Sequence, residues 1–142
     1  MPKLMILTAC ERVIIDKVAS LPSLINIFQK MNVQLQDAPL AENAVAPIRW
    51  AVFTLWAHTQ DEVGKEFTQR TEILSPSGNR FGEGTAKFMI TETNDLQSKH
   101  HLDILGLPIE SEGFVTVRVW LEGIPDSATE YKFAVKHLPK KS

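Results

Sequence analysis

Short apolar runs recur from Leu4 to Val135, and each is stopped by proline, glycine, asparagine or aspartate before it reaches helix length. Within most runs apolar and polar residues alternate. A period of two places successive side chains on opposite faces of an extended chain, so the pattern predicts half-buried strands. The cleanest case is Phe114 to Glu122, where Val115, Val117, Val119 and Leu121 share one face. Glu66 to Leu74 sets Phe67, Thr71 and Ile73 against Glu66, Arg70 and Glu72. Thr85 to Thr93 opposes Ala86, Phe88 and Ile90 to Lys87, Met89 and Thr91. Gln97 to Leu105 carries His100, Leu102 and Ile104 on one side, and near the end Tyr131, Phe133 and Val135 oppose Glu130, Lys132 and Lys136.

Other stretches are less regular. Lys3 to Ile15 reads as one long strand, or as two broken at Glu11-Arg12. Leu24 to Leu35 puts Ile25, Ile27, Met31, Val33 and Leu35 on one parity, with Phe28 as the exception. A helix over Leu24 to Met31 competes, because Leu24, Ile27, Phe28 and Met31 also fit helical spacing. The continuation to Leu35 favours a strand. Ile48 to Thr59 is apolar on both parities, as expected of a central strand covered on both sides or meeting a partner on one. Gln36 to Pro47 has no period and reads as a crossover between sheets. Ser75-Pro76-Ser77-Gly78-Asn79 is a hairpin turn, since proline presets φ and glycine accepts positive φ.

About eight strands at regular spacing predict an all-β fold, an immunoglobulin-like or C2-like antiparallel sandwich. The Cys–Trp–Cys pattern of antibody domains is absent. At 142 residues the chain reads as one domain over residues 1–137 with a polar tail at 138–142. A chain of this size buries roughly 68–70% of its unfolded surface, enough for a core without staples.

Charge and cysteine content narrow the classes. The net charge is −2, with neither a basic excess nor a basic stripe, so nucleic acid is not the expected partner. No run approaches a membrane span. Leu7-Thr8-Ala9-Cys10 mimics a lipoprotein cleavage box, but the apolar stretch before it, Leu4 to Leu7, is shorter than a signal requires. Cys10 is the single cysteine, which excludes an intramolecular disulfide and points to a reducing, cytoplasmic setting.

Reactive residues do not assemble into a recognisable site. His100 and His101 are adjacent, so on a strand they face opposite ways and cannot share an ion. His101 and Asp103 share a face, but no third ligand is identified by spacing. Asp61-Glu62 and Asn94-Asp95 are isolated pairs, short of the clustered carboxylates a calcium site needs. Cys10 lies in an apolar run where a thiol stays protonated. Gly82-Glu83-Gly84 precedes no helix start, so it makes no phosphate cradle. No catalytic residue, metal or cofactor is expected.

A second line comes from Asp16, the run Ser23-Leu24-Ile25-Asn26-Ile27-Phe28, and the Ala46-Pro47 entry to an apolar strand. Leu102 to Gly106, Leu107-Pro108-Ile109, the Glu112-Gly113-Phe114 corner and Leu121-Glu122-Gly123 continue it. Together, over Leu4 to Gly123, the chain resembles a family of small bacterial β-sandwich proteins of unassigned function. The resemblance implies a compact cytoplasmic sandwich and carries no catalytic residue. Phe114 stands where a tyrosine corner would place its hydroxyl, which excludes that hydrogen bond here.

The tryptophans remain. If Val115, Val117 and Val119 face the core, then Phe114, Arg118 and Trp120 face away. An aromatic beside an arginine is the composition of an interface hot spot or a sugar-stacking platform. Trp56 joins them if one face of its doubly apolar strand meets a partner. Trp56, Phe114, Arg118 and Trp120 are therefore the candidate interaction surface. The expected function is a non-enzymatic interaction or assembly module, a homo-oligomer or one with another protein partner. A small-ligand or carbohydrate-binding sandwich is the alternative.

Overall fold

The computed structural model describes residues 1–34, 45–92 and 95–138. Its described residues form nine strands: β1 (Lys3–Ile15), β2 (Pro22–Ile27), β3 (Lys30–Gln34), β4 (Val45–Ala57), β5 (Glu66–Leu74), β6 (Arg80–Met89), β7 (Gln97–Pro108), β8 (Gly113–Leu121) and β9 (Ile124–Leu138). A 3-10 turn, Gln60–Glu62, follows β4. The strands make two sheets, ordered β2-β1-β4-β7 and β3-β9-β8-β5-β6. The fold is thus an all-β, two-sheet sandwich. Neighbours pair antiparallel except β3 and β9, which run parallel.

Alternation builds the core. Val115, Val117, Val119 and Leu121 of β8 are fully buried, as are Phe133 of β9 and Ile73 of β5. From the other sheet come Ala9 of β1, Trp50, Val52 and Trp56 of β4, and Leu107 of β7. Trp50 meets Phe133 edge to face at 5.4 Å, and Phe28 sits 5.7 Å from Phe133. Tilted and edge-on arrangements suit the ring quadrupoles. Both buried indole N–H groups find acceptors. Trp50 Nε1 donates to Gly106 O at 3.0 Å, and Trp56 Nε1 donates to Gln69 Oε1 at 2.6 Å. The same Gln69 oxygen accepts from Thr54 Oγ1 at 2.8 Å, so one amide from β5 satisfies two donors of β4 across the sandwich.

The N-terminal third departs from the sequence reading. The stretch expected as one strand from Leu24 to Leu35 is two, in different sheets, and Phe28 is the reason. It leaves the alternation to enter the core, where Phe28 N donates to Ala9 O and Phe28 O accepts from the Tyr131 hydroxyl. The chain then crosses to the second sheet, where Lys30 pairs with Ala134. Leu35 and residues 36–44 of the expected crossover lie outside the described residues, whereas Val45 to Pro47 belong to β4.

β1 is one strand that changes partner. It pairs with β4 up to Cys10–Ala51 and with β2 from Cys10 to Ile15. A straight continuation past Cys10 would run toward the Val45 end of β4. Instead Lys99 Nζ, on a residue at the opposite end of the ladder, donates to Ser20 O at 2.8 Å. The β1–β2 hairpin therefore doubles back over the outer face of its own sheet. That cover explains why Phe53 and Ala51, which point away from the inter-sheet core, are only 2% and 1% exposed.

Two further boundaries shift. β6 begins at Arg80 rather than Thr85, because Gly82 and Gly84, which have no side chain to show a parity, lie in the strand; a Cβ on Gly84 would fall 2.9 Å from Leu102. β9 starts directly after the Glu122-Gly123 turn and takes in Ser127 and His137. In β7, Gly106 has φ +105, and a Cβ there would come 2.7 Å from Val45.

Two substitutions test this packing by urea denaturation. Phe133→Ala removes the ring shared by Trp50 and Phe28 and is expected to cost ~3–5 kcal/mol. Gly106→Ala forces a side chain into positive φ and is expected to cost about 1–3 kcal/mol.

Candidate functional site

The outer face of the five-stranded sheet is built by the same alternation that builds the core. With Val115, Val117, Val119 and Leu121 inward, Phe114, Thr116, Arg118 and Trp120 point out from β8, the central strand. Phe114 is 59% exposed, Arg118 is exposed and Trp120 is half-buried. The Arg118 guanidinium lies 5.5 Å from the Trp120 ring centroid, within cation–π range.

Charges of both signs surround this centre. Arg118 is flanked across the ladders by Glu72 of β5 and Glu130 of β9, and Trp120 by Arg70. Arg70 Nε lies 3.4 Å from Glu122 Oε2 and its terminal nitrogen donates to Thr85. Glu72 and Glu83 stand directly opposite one another, an unfavourable pairing. Arg80, 3.5 Å from Glu83, offsets it.

Phe114, Arg118 and Trp120 therefore share one open face. Trp56 does not join them. It is 1% exposed, its indole is held by Gln69, and it points into the sandwich from the other sheet. Parity alone could not separate its two apolar faces; the covering hairpin, which buries the Phe53 side as well, carried no legible signal.

Three of the buried polar residues, His58, Glu62 and Ser98, lie just past the end of β4 and at the start of β7. His58 Nε2 lies 3.0 Å from Ser98 Oγ. Burial holds His58 below the ordinary imidazole value, with Glu62 partly opposing it. Burial likewise lowers His100, reinforced by His58 and His101. Glu62 is 2% exposed. Burial pushes its carboxyl up, but the Thr59 N–H and hydroxyl and the Met1 ammonium outweigh that and hold it below the usual range. Neither the Asp61-Glu62 pair nor His101, 3.9 Å from Asp103, gathers further ligands. Among the described residues no group of three or more metal-ligating side chains is arranged to hold an ion.

Two clefts complete the surface. One, of about 610 Å³, runs between the hairpin tip at Ala19 to Leu21 and the Gln97 to His100 segment. The other, of about 530 Å³, occupies the crook where β1 leaves β4, between Arg12 and Arg49. The first is lined by Ser98, whose hydroxyl is the one 3.0 Å from His58 Nε2; both residues are buried. Cys10 is fully buried, and burial raises its thiol above the ordinary value. Among the described residues no helix is long and apolar enough to cross a membrane. No protein-family model matches the chain, and a search of curated proteins finds no relative.

Two measurements check these exposures. Acrylamide should quench the Trp120 fraction of the indole emission only, and Trp120→Phe should abolish the quenchable component; quenching retained in that variant would contradict the burial of Trp50 and Trp56. In the native protein Cys10 should resist a maleimide and react only after denaturation, because thiolate and access are both lacking.

Proposed function

We propose that the chain is a non-enzymatic interaction module that self-associates through the outer face of its five-stranded sheet. The observation that carries this reading is the Arg118–Trp120 pair with exposed Phe114 on the central strand of that face. Hot spots are enriched in tryptophan and arginine and cluster near the middle of an interface. Five strands about 4.8 Å apart and about 30 Å long present roughly 700 Å², close to the ~800 Å² per partner of a standard interface. Arg70, Arg118 and Lys132 interleave with Glu72, Glu122 and Glu130. A two-fold axis through such a mixed patch brings opposite charges together, as an isologous contact requires.

The sandwich itself is read as immunoglobulin-like. Supporting this, the order β9-β8-β5-β6 follows strands G, F, C and C′ of that architecture, and β4-β7 follows B and E. With the resemblance to small bacterial sandwich proteins, we read the module as an assembly component of the bacterial cytoplasm.

Sedimentation equilibrium tests the proposal. The wild-type chain should dimerise reversibly, and Trp120→Ala or Arg118→Glu should each weaken the dimer by about thirtyfold, equivalent to ~2 kcal/mol at a hot spot. A chain that stays monomeric into the high micromolar range overturns self-association. If that monomer then binds on a glycan array and loses the signal in Trp120→Ala, the face is a ligand platform instead.

A further inference from the structure

β7 ends one sheet and β6 ends the other, so among the described residues no flanking strand closes the side of the sandwich where they lie. A cluster of rings spans that side. From the first sheet come His58, just past β4, and His100 of β7; from the second come Phe67 of β5 and Phe88 of β6. The His58 ring lies 6.3 Å from Phe67 and 5.8 Å from Phe88, and His100 lies 4.7 Å from Phe88. The two phenyl rings are 5.9 Å apart. Behind them Ile90 is fully buried. The contact is aromatic, half of it is imidazole, and its Phe88 and His100 rings border the 610 Å³ cleft.

Each imidazole carries one nitrogen with no use for a proton. His58 Nδ1 and His100 Nε2 are both buried without a hydrogen-bond partner. A neutral ring tolerates this, because one nitrogen bears no hydrogen. An imidazolium has two N–H donors, and the second would then point at hydrocarbon. The nearby charges relieve it only in part. Glu62 favours a protonated His58, but burial outweighs it; Glu62 Oε1 accepts from Thr59, and its Oε2, which has no hydrogen-bond partner, lies 3.3 Å from the Met1 ammonium. Asp95 and Lys99 line the 610 Å³ cleft bordered by His100, and Lys99 is tied to Ser20 O. His101, on the opposite face of β7, adds positive charge when protonated. Ser98 supplies a hydroxyl to His58, and β5 and β6 place Phe67 and Phe88 against the pair.

We propose that His58 and His100 form a proton-operated latch. Neutral, they hold the β6 and β7 sides of the sandwich together; protonated, they release them, widen the adjoining cleft and expose Phe67 and Phe88. The direction follows from linkage. Both rings are held below 6.5 in the closed form. The opened form therefore binds protons more readily, so closure is complete above that value and is lost as pH falls below it.

Amide hydrogen exchange, followed residue by residue from about pH 7.5 to about pH 5, tests the latch in the intact chain. After correction for intrinsic exchange, β6 and β7 amides should gain up to about tenfold per pH unit for each proton taken up, while β8 and β9 amides keep their protection. The double variant His58→Asn, His100→Phe should hold β6 and β7 protection flat across that range. Imidazole ¹⁵N shifts of the wild-type protein decide the matter even where the variant fails to fold. Rings that titrate below the free value in step with exchange support the latch. A ring titrating at or above it, or pH-independent exchange of β6 and β7, overturns it.

Discussion

The constraint on which the rest depends is the inward row of Val115, Val117, Val119 and Leu121 on the central strand of the larger sheet. Each loses all contact with water. Their burial fixes the parity of β8, and the ladders to β5 and β9 pass that parity on. Ile73, Gln69 and Phe133 then face inward with no further choice, and Arg70, Glu72 and Lys132 face outward. A slip of one residue would put four aliphatic side chains in water and Arg118 and Trp120 in the core. The face proposed for association is thus the unavoidable reverse of the core.

Inside that frame the polar groups sort by whether they are satisfied. Gln69 answers two donors from the facing sheet, and Trp50 reaches the carbonyl of Gly106, whose positive φ brings the backbone close. These bonds fix how the sheets lie against each other, because a buried donor left unpaired costs about 1–3 kcal/mol. His58, His100 and Glu62 are the exceptions among the described residues, each with a buried polar atom left over. The two histidines sit at the side where, among the described residues, neither sheet has a flanking strand. Polar completeness at the centre and incompleteness at the rim make the middle of the sandwich stiffer than that edge.

Much of this was legible from residue alternation. Glu66–Leu74 coincides with β5, the valine row faces inward, and the doubly apolar run around Trp50 to Trp56 is an interior strand buried on both sides. His100 half-buried with His101 exposed also follows from parity. What alternation misses is a strand that changes sheets. Ile25, Ile27, Met31 and Val33 keep one parity across a break that Phe28 makes by plugging the core, and a period of two does not register a new partner. The start of β6 is missed because Gly82 and Gly84 have no side chain to show a parity; they are small where Ile73 and Leu102 pack against them. For the site, parity found Phe114, Arg118 and Trp120. It could not place Trp56, since nothing local marks which side of a doubly apolar strand faces the opposite sheet.

The parallel pairing of β3 with β9 has a kinetic consequence. It joins positions roughly a hundred residues apart, among the most distant contacts the chain can make. During synthesis β9 emerges after the other eight described strands, so β3 has no partner until they have all appeared. Phe28 waits with it, because the ring it packs on and the hydroxyl that holds its carbonyl, Phe133 and Tyr131, both belong to β9. The early hairpin can form by itself, but its docking cannot be completed. Completion of this sandwich is therefore expected to be slow, with the exposed β1–β2 segment the part most in need of chaperone protection in the interval.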